Sequence, residues 1–267
     1  MSIINNRKKY LVIIPAYNEA GAIFNTVKDI EKNAKSFDYV VINDCSKDNT
    51  RKILEENNIN HINLSINSGI GAAVQTGYQY AREYGYEAAV QVDGDGQHSA
   101  SYLEKMAEIL EKDNVDMVIG SRFIEKSGFQ STGLRRVGIK FFTLWIKLLT
   151  GQIVTDPTSG MRLCKKEIVN LFAEDYPKDY PEPETVVSVL KLGYKVKDMP
   201  VKMKERQSGT SSISLKKAVY YMIKVPLACL FAAIRKKCNL GGNYAVKITN
   251  RDCCYDFCCT FVYHKSS

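Results

Sequence analysis

The chain has 267 residues, 45% of them hydrophobic, which allows one large packed domain or a domain with an appendage. Its eight cysteines lack the spacing of a disulfide framework, and no secretory signal precedes the first apolar segment. A reducing, cytoplasmic setting is therefore expected, and a secreted disulfide scaffold is excluded. The net charge of +8 is uneven: from Arg206 to Arg251 there are nine Lys or Arg and no Asp or Glu.

Tyr10–Ile14 reads as a first buried strand stopped by Pro15. The loop Ala16-Tyr17-Asn18-Glu19 follows, then a helix over 20–33. A second strand over 38–43 ends in Asn43-Asp44-Cys45-Ser46. Asp48 is placed to cap a helix that runs to about Asn57. A short strand covers 61–64, and Asn67-Ser68-Gly69-Ile70-Gly71 opens a long helix to about Tyr84. A fourth strand, 88–92, leads into Asp93-Gly94-Asp95-Gly96-Gln97-His98. A helix over 99–111 and a fifth strand over 117–120 complete the alternation. Strand and helix alternating in this way predict an α/β fold with a mainly parallel sheet covered on both faces. Each strand ends in polar residues, so Tyr17, Glu19, Asp44 and the pair Asp93/Asp95 are expected to converge at one edge, where such sheets bind ligands.

Asp93 and Asp95 are one residue apart. Two carboxylates that close repel unless a cation sits with them, and Mg²⁺ is usually held by one or two carboxylates plus substrate phosphates. The pattern thus points to a divalent ion that grips a phosphorylated ligand. A polar turn is the alternative. A calcium loop with Asp93, Asp95 and Glu104 fails because His98 stands where that loop needs glycine. Gly69 and Gly71 do not complete a dinucleotide fingerprint.

Beyond Gly120 the pattern changes. Residues 134–149 read as a basic amphipathic helix with Val137, Phe141, Leu144 and Leu148 on one stripe. It packs on the sheet or faces a membrane. Residues 155–162 read as a polar loop, 194–201 as a strand and 205–212 as a hydroxyl-rich loop. Tyr180-Pro181-Glu182-Pro183-Glu184 starts a helix to about Leu192, with the second proline suited to a helix start. Residues 215–237 are apolar with basic ends, but Lys224 and Pro226 interrupt them, which suits an interfacial helix better than a spanning one. The basic apolar third therefore favours a membrane surface, or a small membrane-spanning partner protein, over nucleic acid, for which no groove-reading motif is present. Three segments are expected: 1–212 catalytic, 213–237 membrane-associated and 238–267 Cys-rich. In the last, Cys253, Cys254, Cys258 and Cys259 lack a histidine at zinc-finger spacing.

Pro15-Ala-Tyr17-Asn-Glu19, Asn43-Asp44-Cys-Ser46, Asp93-Gly-Asp95-Gly-Gln97 and Ser121-Arg122-Phe123 occur in the order and spacing of family-2 glycosyltransferases. Asp156-Pro-Thr-Ser159-Gly160-Met-Arg162 and Arg206-Gln-Ser-Gly209-Thr-Ser211 resemble the dolichyl- or polyprenyl-phosphate sugar synthase branch. The resemblance covers roughly residues 9–215. It implies a GT-A fold and inverting transfer from a UDP- or GDP-linked sugar to a lipid-linked acceptor such as polyprenyl phosphate, at the inner face of the cell membrane. By the same resemblance Pro15, Tyr17, Glu19 and Asp44 hold the nucleoside. Asp93, Asp95 and Gln97 match the Mg²⁺ or Mn²⁺ and diphosphate motif, and Arg206 and Ser211 match a loop that closes over the diphosphate. Two departures stand out: Asn43 replaces the first of two aspartates, and Cys45 replaces a glycine. Asp156 and Glu184 are candidate bases for a hydroxyl acceptor, whereas a phosphate acceptor needs none. Transfer to a polysaccharide hydroxyl, and a non-catalytic membrane-complex subunit, are the alternatives. A homo-oligomer is left open.

Overall fold

The computed structural model describes residues 8–125, 133–204 and 215–234. Seven strands form one sheet in the order β3-β2-β1-β4-β6-β5-β7. They are β1 (Tyr10–Ala16), β2 (Phe37–Asn43), β3 (His61–Asn63), β4 (Ala88–Gln91), β5 (Met117–Ser121), β6 (Arg162–Lys165) and β7 (Val196–Pro200). Only β6 is antiparallel to its neighbours, β4 and β5. The other pairings are parallel, so six strands end at the same edge.

Alternation along β1 builds both cores. Leu11 and Ile13 lie on one face with Val74, Tyr78, Phe172 and Val186. Tyr10, Val12 and Ile14 lie on the other with Ile23, Val27, Leu103 and Met106. The helices are α1 (Ile23–Asn33), α2 (Thr50–Glu56), α3 (Ile70–Glu83), α4 (Leu103–Lys112), α5 (Gly133–Thr150), α6 (Lys166–Glu174), α7 (Pro181–Lys191) and α8 (Leu215–Ile234). α1 buries Ile23, Val27 and Ile30 at helical spacing, which seats it on the second face. α3 runs close to β1: a Cβ on Gly77 would lie 2.1 Å from the Ile13 side chain, so only glycine fits that crossing.

Three features differ from the sequence reading. Strand β6 begins at Arg162, the last residue of the expected loop 155–162, and its other residues fall in no expected element: the four-residue run Arg-Leu-Cys-Lys is too short to show a period and gains its partners only from β4 and β5. α6 follows it without a break and was not expected. In α7 the first proline, Pro181, starts the helix, after Tyr180 in a left-handed conformation at φ 51°.

α5 packs through one stripe and turns the Val137–Leu148 stripe outward, one of the two placements the sequence left open. Ile139, Phe142 and Ile146 are buried, while Val137, Leu144 and Leu148 are 66–74% exposed. α8 packs beside α5: Trp145 Nε1 donates to the Pro226 carbonyl at 3.2 Å, and Phe142 meets the Tyr221 ring edge-on. Ile223, Leu227, Phe231 and Ile234 of α8 are exposed in turn. No helix among the described residues is long and apolar enough to cross a membrane. The Cys-rich segment 238–267 lies outside the described residues.

Candidate functional site

After β1 the chain moves outward through β2 and β3, then returns to place β4 on the other side of β1. The order reverses there, and the crevice beyond the carboxyl ends of β1 and β4 is where such sheets hold ligands. Pro15 lies in β1, and Tyr17 follows it, 41% exposed. Residues 18–20 are stapled to the loop after β2. The Asn18 amide donates to Ser46 Oγ at 3.0 Å, and the Lys47 amide donates to Asn18 Oδ1 at 2.8 Å. The Glu19 amide donates to Thr50 Oγ1, and the Ala20 amide donates to Asp48 Oδ2. Cys45 sits at φ 55°, the left-handed region that favours glycine.

Asp44 is 3% exposed, and both its oxygens are engaged. Oδ1 accepts from the Ser68 amide at 2.7 Å and Oδ2 from the Gly69 amide at 2.9 Å. Those amides stand just ahead of α3, so the carboxylate also meets the positive end of that helix. Asp44 thereby fixes the 65–69 loop at the rim of the crevice.

The acidic pair follows β4. Asp95 is 3% exposed, and its Oδ1 accepts from the Gln97 amide at 3.1 Å. The Asp93 side chain is 38% exposed. Its Oδ1 accepts from Gln91 Nε2 at 3.1 Å, and its amide donates to His98 Nδ1 at 3.3 Å. Since Nδ1 accepts, the proton of a neutral ring is on Nε2, which is buried without a partner. Gly160 closes the other side: a Cβ there would lie 3.1 and 3.2 Å from the two Asp93 oxygens.

Arg122, after β5, is 7% exposed and Asp156 is fully buried. Arg122 Nε donates to Asp156 Oδ2 at 2.6 Å and Nη2 to Oδ1 at 2.8 Å, a two-pronged charge pair. Burial opposes the Arg122 charge, but the Asp156 bonds together with the charges of Asp156, Asp93 and Glu182 outweigh it, so the guanidinium is held above its ordinary range. Next to Asp156, Thr155 donates from its amide and hydroxyl to Asp198 Oδ2 at 2.6 and 2.7 Å.

α7 carries two acidic residues in its first turn, Glu182 and Glu184. The charge of Glu182 acts on both Arg122 and Arg162. The charge of Glu184 acts on Cys229 of α8, whose thiol burial pushes up to about 12 with Glu184 adding to the rise. The sequence reading named Glu184 and passed over Glu182, Gln91 and His98. The first-turn position of Glu182 was visible in the sequence, but its neighbours were not. Arg206 and Ser211 lie outside the described residues. Lys204, two residues before Arg206, is tied to Gln97 twice: its amide donates to the Gln97 carbonyl at 3.0 Å, and its carbonyl accepts from Gln97 Nε2 at 3.4 Å.

The donor set fits a hard divalent ion that relies on its substrate for further ligands. Asp93 and Asp95 are oxygen donors, and no group of three or more His, Cys, Asp or Glu among the described residues forms a closed metal cage. Asp93 is the partly exposed member of the pair, and the bare Gly160 leaves the space that its carboxylate occupies.

The family model described as glycosyl transferase family 2 matches residues 11–172. A UDP-N-acetylglucosamine–dolichyl-phosphate N-acetylglucosaminyltransferase of Methanococcus voltae is 32% identical over 218 residues, covering 73% of this chain and 85% of that protein. An undecaprenyl-phosphate mannosyltransferase of Micrococcus luteus is 25% identical, covering 87% of this chain and all of that protein. Among solved structures, a glucosyl-3-phosphoglycerate synthase from Mycobacterium tuberculosis, in complex with Mn²⁺, UDP and phosphoglyceric acid, superposes with a TM-score of 0.64 at 14% identity. That superposition covers 85% of this chain and 78% of the other.

Proposed function

This chain belongs to glycosyl transferase family 2, and on that premise we propose that it moves a sugar from a nucleoside-diphosphate donor to a polyprenyl-phosphate-type lipid at a membrane surface. The observation that carries the reading is the acidic tip Asp93–Asp95 at the β1/β4 reversal, with Asp44 after β2 fixing the loop ahead of α3. Relatives named for dolichyl-phosphate and undecaprenyl-phosphate transfer support the acceptor class.

In this reading Pro15, Tyr17 and Glu19 form the nucleoside wall of the crevice, and Asp44 holds that wall in shape. Asp93, Asp95 and Gln97 hold Mg²⁺ or Mn²⁺ against the diphosphate. When bound, the ion supplies positive charge where the leaving diphosphate gains negative charge. Arg206 and Ser211 are assigned to the diphosphate from the family resemblance alone. A fixed cation aimed at developing charge lowers the barrier without reorganising.

A phosphate acceptor is already an anion and needs no base, so the carboxylates near the site need only bind and orient. Asp156 was a candidate base, but both its oxygens are in the Arg122 fork and none of it is exposed. We assign it the role of anchor for Arg122. Glu184 lies in the first turn of α7, the helix that packs against α8, and is assigned to that interface.

The exposed stripe Val137, Leu144 and Leu148 and the exposed residues Ile223, Leu227 and Phe231 form the surface assigned to the membrane. Arg136, Lys140 and Lys147 are exposed on the same helix α5 and match an anionic headgroup layer. The test is incubation with UDP- and GDP-sugars, polyprenyl phosphate and Mg²⁺ or Mn²⁺, read by mass spectrometry of the lipid. A glycosylated lipid phosphate is expected. No lipid product with any donor would overturn the reading.

A further inference from the structure

Arg162 has the largest fully buried side chain among the described residues, and its hydrogen-bond partners are all neutral. Nη1 donates to Thr185 Oγ1 and, at 3.4 Å, to the Glu182 carbonyl. Nη2 donates to Tyr176 Oη at 2.8 Å and to Gln91 Oε1 at 3.5 Å. Nε has no partner. A buried guanidinium without a bonded carboxylate is costly, so its persistence calls for a reason beyond packing.

The reason lies one residue further on. A guanidinium has five donors and no acceptor. The side of the Gln91 amide that faces Arg162 must therefore be its carbonyl. The amide NH₂ is then turned the other way, toward Asp93, where it donates to Oδ1 at 3.1 Å. Gln91 is 1% exposed, so no water competes for either end. Reversing the amide would set NH₂ against a cation and a carbonyl against a carboxylate, unfavourable on both sides.

We propose that Arg162 is a positioning residue that acts through Gln91 to fix the Asp93 carboxylate at the crevice. The relay holds Oδ1 from below, Gly160 bounds the carboxylate from the side, and His98 anchors the Asp93 backbone. Oδ2, 3.8 Å from His98 Nδ1, is the oxygen that the Gln91 amide does not hold. Residues that orient a ligating carboxylate in this way contribute to ion affinity without touching the ion. The proposal rests on the reading that Asp93 binds a divalent ion.

The experiment titrates Mn²⁺ into the full-length protein with UDP, and separately GDP, present, following free Mn²⁺ by electron paramagnetic resonance. Thermal unfolding checks that each variant is folded. Asp93→Ala should lose most Mn²⁺ binding, Gln91→Leu should weaken it about tenfold, and Arg162→Lys should weaken it by a similar factor. In the Gln91→Leu background, Arg162→Lys should add nothing, because the relay is already cut. If Arg162→Lys does not fold, Tyr176→Phe loosens the same Nη2 and should weaken Mn²⁺ about threefold. Gln91→Leu within twofold of the parent, with Asp93→Ala defective, would overturn the relay alone. Unchanged Mn²⁺ binding by Asp93→Ala would overturn the ion-binding reading and the relay with it.

Discussion

Arg122 and Asp156 lock together through two hydrogen bonds of 2.6 and 2.8 Å in a space where Asp156 has no exposed surface. The pair ties the end of β5 to the loop before β6. Removing one partner leaves the other as an uncompensated buried charge, at a cost of about 3–5 kcal/mol. Asp156→Ala should therefore lower the melting temperature on the order of 10 °C. The double variant Arg122→Met/Asp156→Leu restores neutrality and should recover most of that loss. Calorimetry of the three proteins measures it, and a double variant as unstable as Asp156→Ala would show that the pair is not what limits stability.

Asp44 makes a second, independent claim. Its two oxygens satisfy the Ser68 and Gly69 amides, and no other group replaces them if it is removed. Charge-assisted bonds of this kind contribute about 1.5–3 kcal/mol. Asp44→Ala should cost about 2–3 kcal/mol in urea unfolding and raise the donor KM. Asp44→Asn keeps one acceptor and should fall between. A normal donor KM in a folded Asp44→Ala protein would separate this loop from the nucleoside.

How much of this was legible from sequence depends on which residues carry the signal. The strands ending at Ala16, Asn43 and Gln91 are apolar runs with polar stops, and they could be read directly. So could the acidic tip, because its chemistry is local. β6 could not: its four residues have neighbours on both sides only after the chain has folded. The same holds for Gln91 and Arg162, whose contact joins positions 71 residues apart. α5 could be read as a helix, but its orientation could not. Its most regular apolar stripe faces outward, and the buried residues Ile139, Phe142 and Ile146 form a second stripe that periodicity alone could not rank above it.

Glu182 and Glu184 are two residues apart in the first turn of α7. The field of Glu182 reaches Arg122 and Arg162 at the crevice, and that of Glu184 reaches Cys229 on α8. Neutralising Glu182 should therefore disturb turnover, with Glu182→Gln losing about tenfold in kcat from altered charge at the site. Glu184→Gln should leave kcat within about twofold. Steady-state kinetics with the lipid acceptor would decide, and the reverse order would return Glu184 to the reacting centre.

Asp198 gives a pH prediction. Burial raises its pKa above the ordinary carboxylate value, and the Thr155 bonds only partly oppose that rise. Its Oδ1 is buried without a partner. A group whose folded pKa is raised binds its proton more tightly in the folded state. Its contribution to stability is thus full below the unfolded value near 3.9 and is lost as pH climbs through the raised folded value. Asp198→Asn should remove that loss, so the variant should gain on the parent as pH rises across this window. Urea midpoints measured between about pH 4 and 7 test it. A constant difference between the two proteins across that range would exclude Asp198 as the titrating group.

The last prediction concerns α5. Leu144 and Leu148 are 67% and 74% exposed, so replacing them removes almost no packing from the folded chain. Leu144→Asp with Leu148→Asp should leave the unfolding midpoint unchanged to within about 0.5 kcal/mol. At a membrane each leucine would bury its side chain for about 1.5 kcal/mol or more, so losing both should weaken binding to anionic vesicles on the order of a hundredfold. Raising the salt concentration should weaken the parent protein as well, because Arg136, Lys140 and Lys147 act at the same surface. Turnover on a water-soluble short-chain acceptor should survive the double substitution, since neither leucine lies at the crevice. Vesicle co-sedimentation alongside that soluble assay separates attachment from chemistry. A double variant that still sediments with vesicles like the parent would move the membrane contact off α5 and onto another part of the chain.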